Sequence, residues 1–172
     1  MSILPILIHP DPRLKKVCDP VADPASLSDL AANMLDTMYD APGIGLAAPQ
    51  VGVNARLIVM DCSDKEEESE PMVLINPVIL DASTTLKEHE EGCLSIPDQY
   101  GMITRPAEVT VKWETPEGDI REALMDGLRA TCVQHEIDHL NGKLFIDYLG
   151  SVRRQMITQK MKKLKRERAK SV

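Results

Sequence analysis

Aromatic side chains are scarce in this chain: one Trp, one Phe and three Tyr make up 3% of 172 residues. Recognition of splayed bases on a sheet needs several exposed rings, so that class of nucleic-acid binding is disfavoured. No segment approaches the roughly 18 consecutive apolar residues of a membrane-spanning helix, and the four cysteines, at 18, 62, 93 and 132, include no CxxC pair. They are expected as free thiols or metal ligands in a reducing compartment. The opening segment, MSILPILIHPDPRLKK, has a short apolar run broken by Pro5 and no basic stretch ahead of it, unlike a secretory leader. The expectation is a cytoplasmic protein with neither membrane nor DNA as partner.

What the chain does have is aliphatic content and an uneven distribution of charge. With 43% apolar residues it can bury one sizeable core, and it is too short for two comfortable ones. The formal net charge of -7 hides a split. Residues 1–150 carry 11 Lys or Arg against 26 Asp or Glu, a net of -15, whereas residues 151–172 carry nine against one, a net of +8. An acidic body with a basic helix or tail is the pattern of a soluble protein whose appendage can meet a polyanion that the body repels.

Residues 10–25 hold four prolines and little periodicity, which predicts an extended surface segment. Asp23 then caps a helix with Pro24 at its first position, and Leu27, Leu30, Ala31, Met34, Leu35 and Met38 recur at spacings of three and four until Ala41-Pro42-Gly43 stops it. Residues 56–60 read as a buried strand and the acidic run 61–70 as a solvated loop or hairpin excursion. Residues 72–75 and 77–80 read as strand pieces broken at Asn76-Pro77. Alternation over 109–113 and a turn at 116–119 predict a hairpin returning through 120–124. A second helix spans about 126–140, ending at Asn141-Gly142. With no repeating strand-helix unit, the expected fold is α+β, with short mixed or antiparallel sheets around a central helix.

That central helix carries Gln-His-Glu-Ile-Asp-His-Leu at 134–140. Residues four apart project from nearly the same side of a helix, so the imidazoles of His135 and His139 can reach one ion. Glu136 and Asp138 flank them at similar offsets, and the longer Glu136 is the better reach to a water on the metal. At least one more ligand is needed, and Cys132, Cys93 and His89 are the candidates. Cys132 would crowd three ligands onto one helix, and His89 sits in the polar run Lys-Glu-His-Glu-Glu. Cys93 follows a glycine that permits a tight turn, and a thiolate with two imidazoles leaves an open position for water. Further upstream, Gly43-Ile44-Gly45-Leu46-Ala47-Ala48-Pro49-Gln50 lacks the Lys-Ser/Thr of a phosphate loop and suits a backbone that runs close to a neighbour or a substrate.

Taken together, three ordered segments resemble the peptide deformylase family: Gly-Ile-Gly-Leu-Ala-Ala-Pro-Gln at 43–50, Glu-Gly-Cys-Leu-Ser at 91–95 and Gln-His-Glu-Ile-Asp-His-Leu-Asn-Gly at 134–142. The likeness runs from about residue 3 to 149. It implies a catalytic domain over 1–150 and a hydrolase of N-terminal methionine processing in protein biosynthesis, which removes the formyl group from N-formylmethionyl peptides. It implies Cys93, His135 and His139 as metal ligands and Glu136 as the acid-base residue, with Gln50 and the Leu94 backbone N–H polarising the formyl carbonyl. The implied ion is Fe2+, with Zn2+, Ni2+ or Co2+ as substitutes. Ile44, Gly45, Leu46, Cys132 and Ile96 are expected near the pocket for the methionine side chain.

One departure stands out. Relatives of this type often carry an arginine a few residues after the cysteine motif, positioned to hold the peptide backbone, and here that place is Tyr100. Tyrosine hydrogen-bonds but supplies no fixed positive charge. The resemblance also implies action on nascent chains, and the basic segment 151–172 is then expected to dock on the ribosome.

Overall fold

The computed structural model describes residues 2–64 and 66–171; Met1, Lys65 in the acidic loop and Val172 at the end of the basic tail lie outside the described residues. The order of elements is α1 (Ser28–Asp40), β1 (Gly45–Ala47), β2 (Leu57–Met60), β3 (Met72–Ala82), β4 (Leu86–Cys93), β5 (Ile96–Pro106), β6 (Val109–Glu114), β7 (Ile120–Met125), α2 (Gly127–Leu140) and α3 (Ser151–Lys170). Short 3-10 turns occupy Pro12–Lys15, Pro24–Leu27, Ala48–Val51 and Phe145–Tyr148. No described helix is long and apolar enough to cross a membrane. The architecture is α+β.

Five strands form one antiparallel sheet in the order β1-β2-β3-β6-β7, and β4 with β5 makes a separate hairpin. The uninterrupted Leu-Ile-Val-Met of β2 reflects burial on both faces. Ile58 and Met60 join Val133, Ile137 and Leu140 of α2 in one cluster, while Leu57 and Val59 join Met34 and Met38 of α1 in another. A third cluster seats the hairpin residues Ile96 and Ile103 on Phe145, Ile146 and the α3 residues Ile157 and Met161. The central helix is thus clamped between the sheet and the hairpin side.

Several expectations need adjustment. The helix that starts at Pro24 opens as a 3-10 turn before α1 begins at Ser28. The expected break at Asn76-Pro77 is a bulge inside the continuous β3, where Asn76 takes φ 49 and its side chain ties Val21 and Glu114. The β4–β5 hairpin was not anticipated, because Leu-Lys-Glu-His-Glu-Glu has little apolar alternation to reveal it. The helix stop at Asn141-Gly142 is as expected: Gly142 has φ 74, and a Cβ there would lie 2.4 Å from the Lys15 carbonyl oxygen.

The N-terminal segment straps the two halves of the site. Leu7 N–H donates to the Gln50 carbonyl at 2.7 Å and His9 N–H to the Ser95 carbonyl at 2.9 Å. The His9 ring is buried against α3, with Nε2 2.9 Å from Thr158 Oγ1 and Nδ1 without a partner. Burial, reinforced by Lys15, Lys165 and Lys162 and opposed by Asp147, lowers its pKa to about 4. Unfolded His9 takes up its proton near the ordinary value of 6.5, so the stabilisation is complete above that pH and is lost as pH falls toward 4. The expected loss is up to about 3 kcal/mol. Urea denaturation at pH 7 and pH 4.5 should show a smaller difference for His9→Gln than for the parent; equal differences would contradict the assignment.

Candidate metal centre

Helix α2 delivers His135 and Glu136 to a cleft of about 800 Å3 and holds His139, which is buried, one turn further on, and the end of β4 delivers Cys93 from the opposite side. Cys93 Sγ lies 3.4 Å from His139 Nε2, which lies 3.2 Å from His135 Nε2. The three ligand atoms all fall within 4.8 Å of one another. Donors about 2.0–2.3 Å from a tetrahedral ion sit roughly 3.3–3.8 Å apart, so the trio fits three corners of such a site. Burial holds the pKa of His139 well below its usual value, which keeps it in the neutral form a metal requires. This group can bind a metal ion.

The hairpin explains how a short turn brings the thiol to the helix. Cys93 pairs with Ile96 across a two-residue turn, Leu94-Ser95, which also places Leu94 on the cleft wall. Gln50, in the 3-10 turn after β1, is buried. Its Oε1 accepts from Ala47 N–H at 2.9 Å, which orients Nε2 toward Ser95 Oγ at 3.1 Å and Cys93 Sγ at 3.5 Å. Glu136 is 3% exposed, and its Oε1 has no hydrogen-bond partner. Desolvation pushes its pKa up to about 7, against the pull of His135. A buried carboxylate of this kind can both take and return a proton near neutral pH.

The two carboxylates that helix geometry left equivalent have different surroundings. Asp138 Oδ2 accepts from Arg105 Nη1 at 2.9 Å and from Tyr148 Oη at 2.7 Å, so it is committed to a network behind the site. The same Arg105 forks onto Glu91 at 2.6 and 2.9 Å, and Glu91 Oε1 lies 2.9 Å from His135 Nδ1. Burial alone would raise the pKa of Glu91; hydrogen bonds from His135 and Arg105 outweigh it and bring the value down to about 2. Its carboxylate therefore fixes the ring of His135, leaving Nε2 directed at the thiol. Glu91 lies within the second sequence motif but was not singled out, and Arg105 has no local signature at all.

Among the expected pocket residues, Ile44, Gly45, Cys132 and Tyr100 line the cleft. Leu46 does not: it is fully buried against α1 with Leu57 and Met34. Side chains alternate along a strand, so Gly45 and Ala47 of β1 face α2 while Leu46 points the other way. Ile96 is likewise in the core beneath the hairpin. Gly45 is required sterically, since a Cβ there would stand 2.5 Å from Glu136 Oε2 and 2.8 Å from Cys132 Sγ. Tyr100 lays its ring over Gly92, and its carbonyl accepts from the Arg153 guanidinium. His89 also lines the cleft, away from the Cys-His-His trio.

The sequence profile of the polypeptide deformylase family matches residues 3–155. A peptide deformylase of Mesorhizobium japonicum is 50% identical over 170 residues, covering 98% of this chain and 97% of that protein. One from Afipia carboxidovorans is 52% identical over 164 residues, covering 95% and 96%. Among solved structures, a peptide deformylase from Legionella pneumophila superposes with a TM-score of 0.88 at 48% identity, covering 98% of each chain. The enzyme from Ehrlichia chaffeensis in complex with actinonin gives 0.92 at 38% identity, covering 96% of this chain and 99% of that one.

Proposed function

The chain belongs to the polypeptide deformylase family, and from that premise we propose how its residues divide the work of removing the N-formyl group from nascent polypeptides. It is a peptide deformylase, a metal-dependent hydrolase that cleaves a linear formamide and releases formate. The observation that carries the residue roles is the meeting of Cys93, His135 and His139 beside a partnerless buried Glu136 oxygen.

Cys93, His135 and His139 would hold the ion, which when bound would supply Lewis-acid polarisation of the formyl group and of a water. Glu136 accepts the proton of the attacking water and passes it to the methionine nitrogen as the C–N bond breaks. Gln50 Nε2 and the Leu94 backbone N–H donate to the formyl oxygen as negative charge develops there, and preorganised donors are worth most at that moment. Ile44, Gly45 and Cys132 bound the methionine side chain, and Tyr100 flanks the outgoing peptide by shape and hydrogen bonding, without the charge of an arginine. Residues 1–150 form the catalytic unit.

The resident ion is ferrous iron, with Zn2+, Ni2+ or Co2+ able to replace it, since a thiolate and two imidazoles suit that whole series. Protein purified without oxygen should carry about one equivalent of iron, while Cys93→Ala should retain little of any ion. Full occupancy in Cys93→Ala would reject the ligand assignment. Thiolate and ferrous iron are both open to oxidation, so air should lower activity before it lowers folded content.

The protein acts in the cytoplasm on chains emerging from the ribosome, and α3 supplies weak electrostatic docking. Ile157 and Met161 anchor the helix in the third core cluster, and Lys160, Lys163 and Arg166 stay exposed. Reversing those three to Glu leaves the anchor intact and should reduce co-sedimentation with ribosomes at low salt roughly 10-fold or more. Unchanged co-sedimentation would remove α3 as the docking element while leaving the hydrolase reading untouched.

A further inference from the structure

Helix α3 reaches the catalytic cleft at its far end. Ile157, Met161, Leu164 and Arg168 recur along it at spacings of four, three and four, so their side chains leave the helix on one side. Ile157 and Met161 are buried and Leu164 is half-buried in the third core cluster, which borders the cleft through Ile8 and Cys93. Arg168 continues the same stripe one turn beyond the core, where it is exposed and lines the cleft.

The charge of that cleft is otherwise of one sign. Asp40, Glu90, Glu91, Asp98 and Glu136 all line it. Glu91 is neutralised by the Arg105 fork and Glu136 is buried beside the metal ligands, whereas Asp40, Glu90 and Asp98 are exposed to a peptide lying in the cleft. Among the described residues, Arg168 is the only Lys or Arg in the lining, and its guanidinium forms none of the ion pairs. Its charge is therefore available to a ligand. Three exposed carboxylates alone would repel any peptide with an acidic side chain close to the formyl group.

We propose that Arg168 is a specificity-determining residue that lets the cleft accept formyl-methionyl peptides carrying Asp or Glu in the first positions after the methionine. The proposal rests on the deformylase reading and names a substrate class within it. A guanidinium is always charged and presents a planar fork of donors, which suits the carboxylate of an acidic side chain. The contact lies at an exposed rim, so it is modest in strength and screened by salt. It acts on binding and not on the chemical step, because Arg168 takes no part in the group formed by Cys93, His135 and His139.

The test compares two amidated substrates of equal shape, formyl-Met-Glu-Glu-Ala-amide and formyl-Met-Gln-Gln-Ala-amide, on the full-length metal-loaded protein. At low salt, Arg168→Glu should raise KM for the Glu peptide roughly 3–10-fold, through a lost attraction and a new repulsion, with kcat and the KM for the Gln peptide unchanged. Arg168→Lys should stay close to the parent, and the difference should shrink in 1 M salt. Lys162→Glu makes the same change of net charge on α3 outside the cleft lining and should leave both KM values alone. Dissociation constants measured in a Glu136→Gln background, without appreciable turnover, should show the same selectivity. An unchanged KM in Arg168→Glu, an equal rise for both peptides, or a rise of the same size in Lys162→Glu overturns the proposal. A shift confined to the free acid formyl-Met-Gln-Gln-Ala moves the contact to a chain terminus and also overturns it. If the parent releases no formate from either peptide, the deformylase reading fails, and the dissociation constants still decide whether Arg168 selects acidic peptides.

Discussion

Glu136→Gln is expected to lower kcat by roughly 10²–10⁴-fold, the range associated with losing a positioned general base and acid, while the protein stays folded and keeps its ion. The substitution preserves shape and hydrogen-bonding capacity but cannot take a proton. Glu136 does little to hold the helix in place, since its Oε1 has no hydrogen-bond partner and the contacts of α2 with the sheet run through Val133, Ile137 and Leu140. Removing the charge also removes the cost of burying it, so stability should be unchanged or slightly higher. Metal analysis beside single-turnover kinetics separates the outcomes. Loss of the ion in step with activity would move Glu136 from proton transfer to ligation, and retained kcat would remove it from the mechanism.

Arg105→Met is expected to produce the largest loss of stability, about 3–5 kcal/mol. Arg105 and Glu91 are both nearly excluded from water, with side chains 7% and 4% exposed. Withdrawing the guanidinium leaves Glu91 and Asp138 facing each other's region without a cation and frees Tyr148 from the charge stacked 5.0 Å from its ring centroid. For a chain of this size that loss corresponds to a fall in Tm of roughly 10 °C or more. Arg105→Lys should lie between, because an ammonium keeps the charge but cannot fork onto Glu91 while reaching Asp138. Glu91→Gln should report on the metal side of the same network, weakening ion affinity about 10–100-fold through His135. If Arg105→Met melted with the parent protein, the network would be ornamental to the fold.

Much of the site was legible because its residues obey local rules. His135, Glu136 and His139 share a helix, so spacing alone placed two ligands and a carboxylate together, and the Asn141-Gly142 stop fixed where that helix ends. Cys93 could be favoured by its turn and its chemistry, but only the hairpin shows why its thiol reaches histidines that lie 42 and 46 positions further along the sequence. Glu91, Arg105 and Asp138 were not legible as a unit. They come from β4, β5 and α2, and nothing periodic links an acid, a base and an acid that meet through tertiary packing. The choice between Glu136 and Asp138 was open for the same reason, as the two differ in partners and not in helical position. Leu46 failed as a pocket residue for a simpler cause: nearness to a motif says which strand a side chain is on, whereas the period of two decides which face it occupies.

The α3 helix shows the opposite balance. Its charge and helical character could be read directly, since nine basic residues in the last 22 dominate the segment. Its attachment could not, because only Ile157, Met161 and Leu164 touch the core and their partners lie in the hairpin and near the N-terminus. The basic helix is therefore secured along one stripe and by the Arg153 contact with the Tyr100 carbonyl, and leaves most of its other cations to solvent.

Hydrolysis of a formyl amide with peptide bonds left intact is what distinguishes this cleft from that of a metallopeptidase. The most direct measurement is formate released from a formyl-methionyl tripeptide by anaerobically purified protein, with peptide products followed in the same sample. One formate should appear for each free-amino tripeptide formed, with no internal cleavage, and turnover should be lost in Glu136→Gln. Backbone fragments without formate, or formate released equally well after Cys93→Ala, would contradict it.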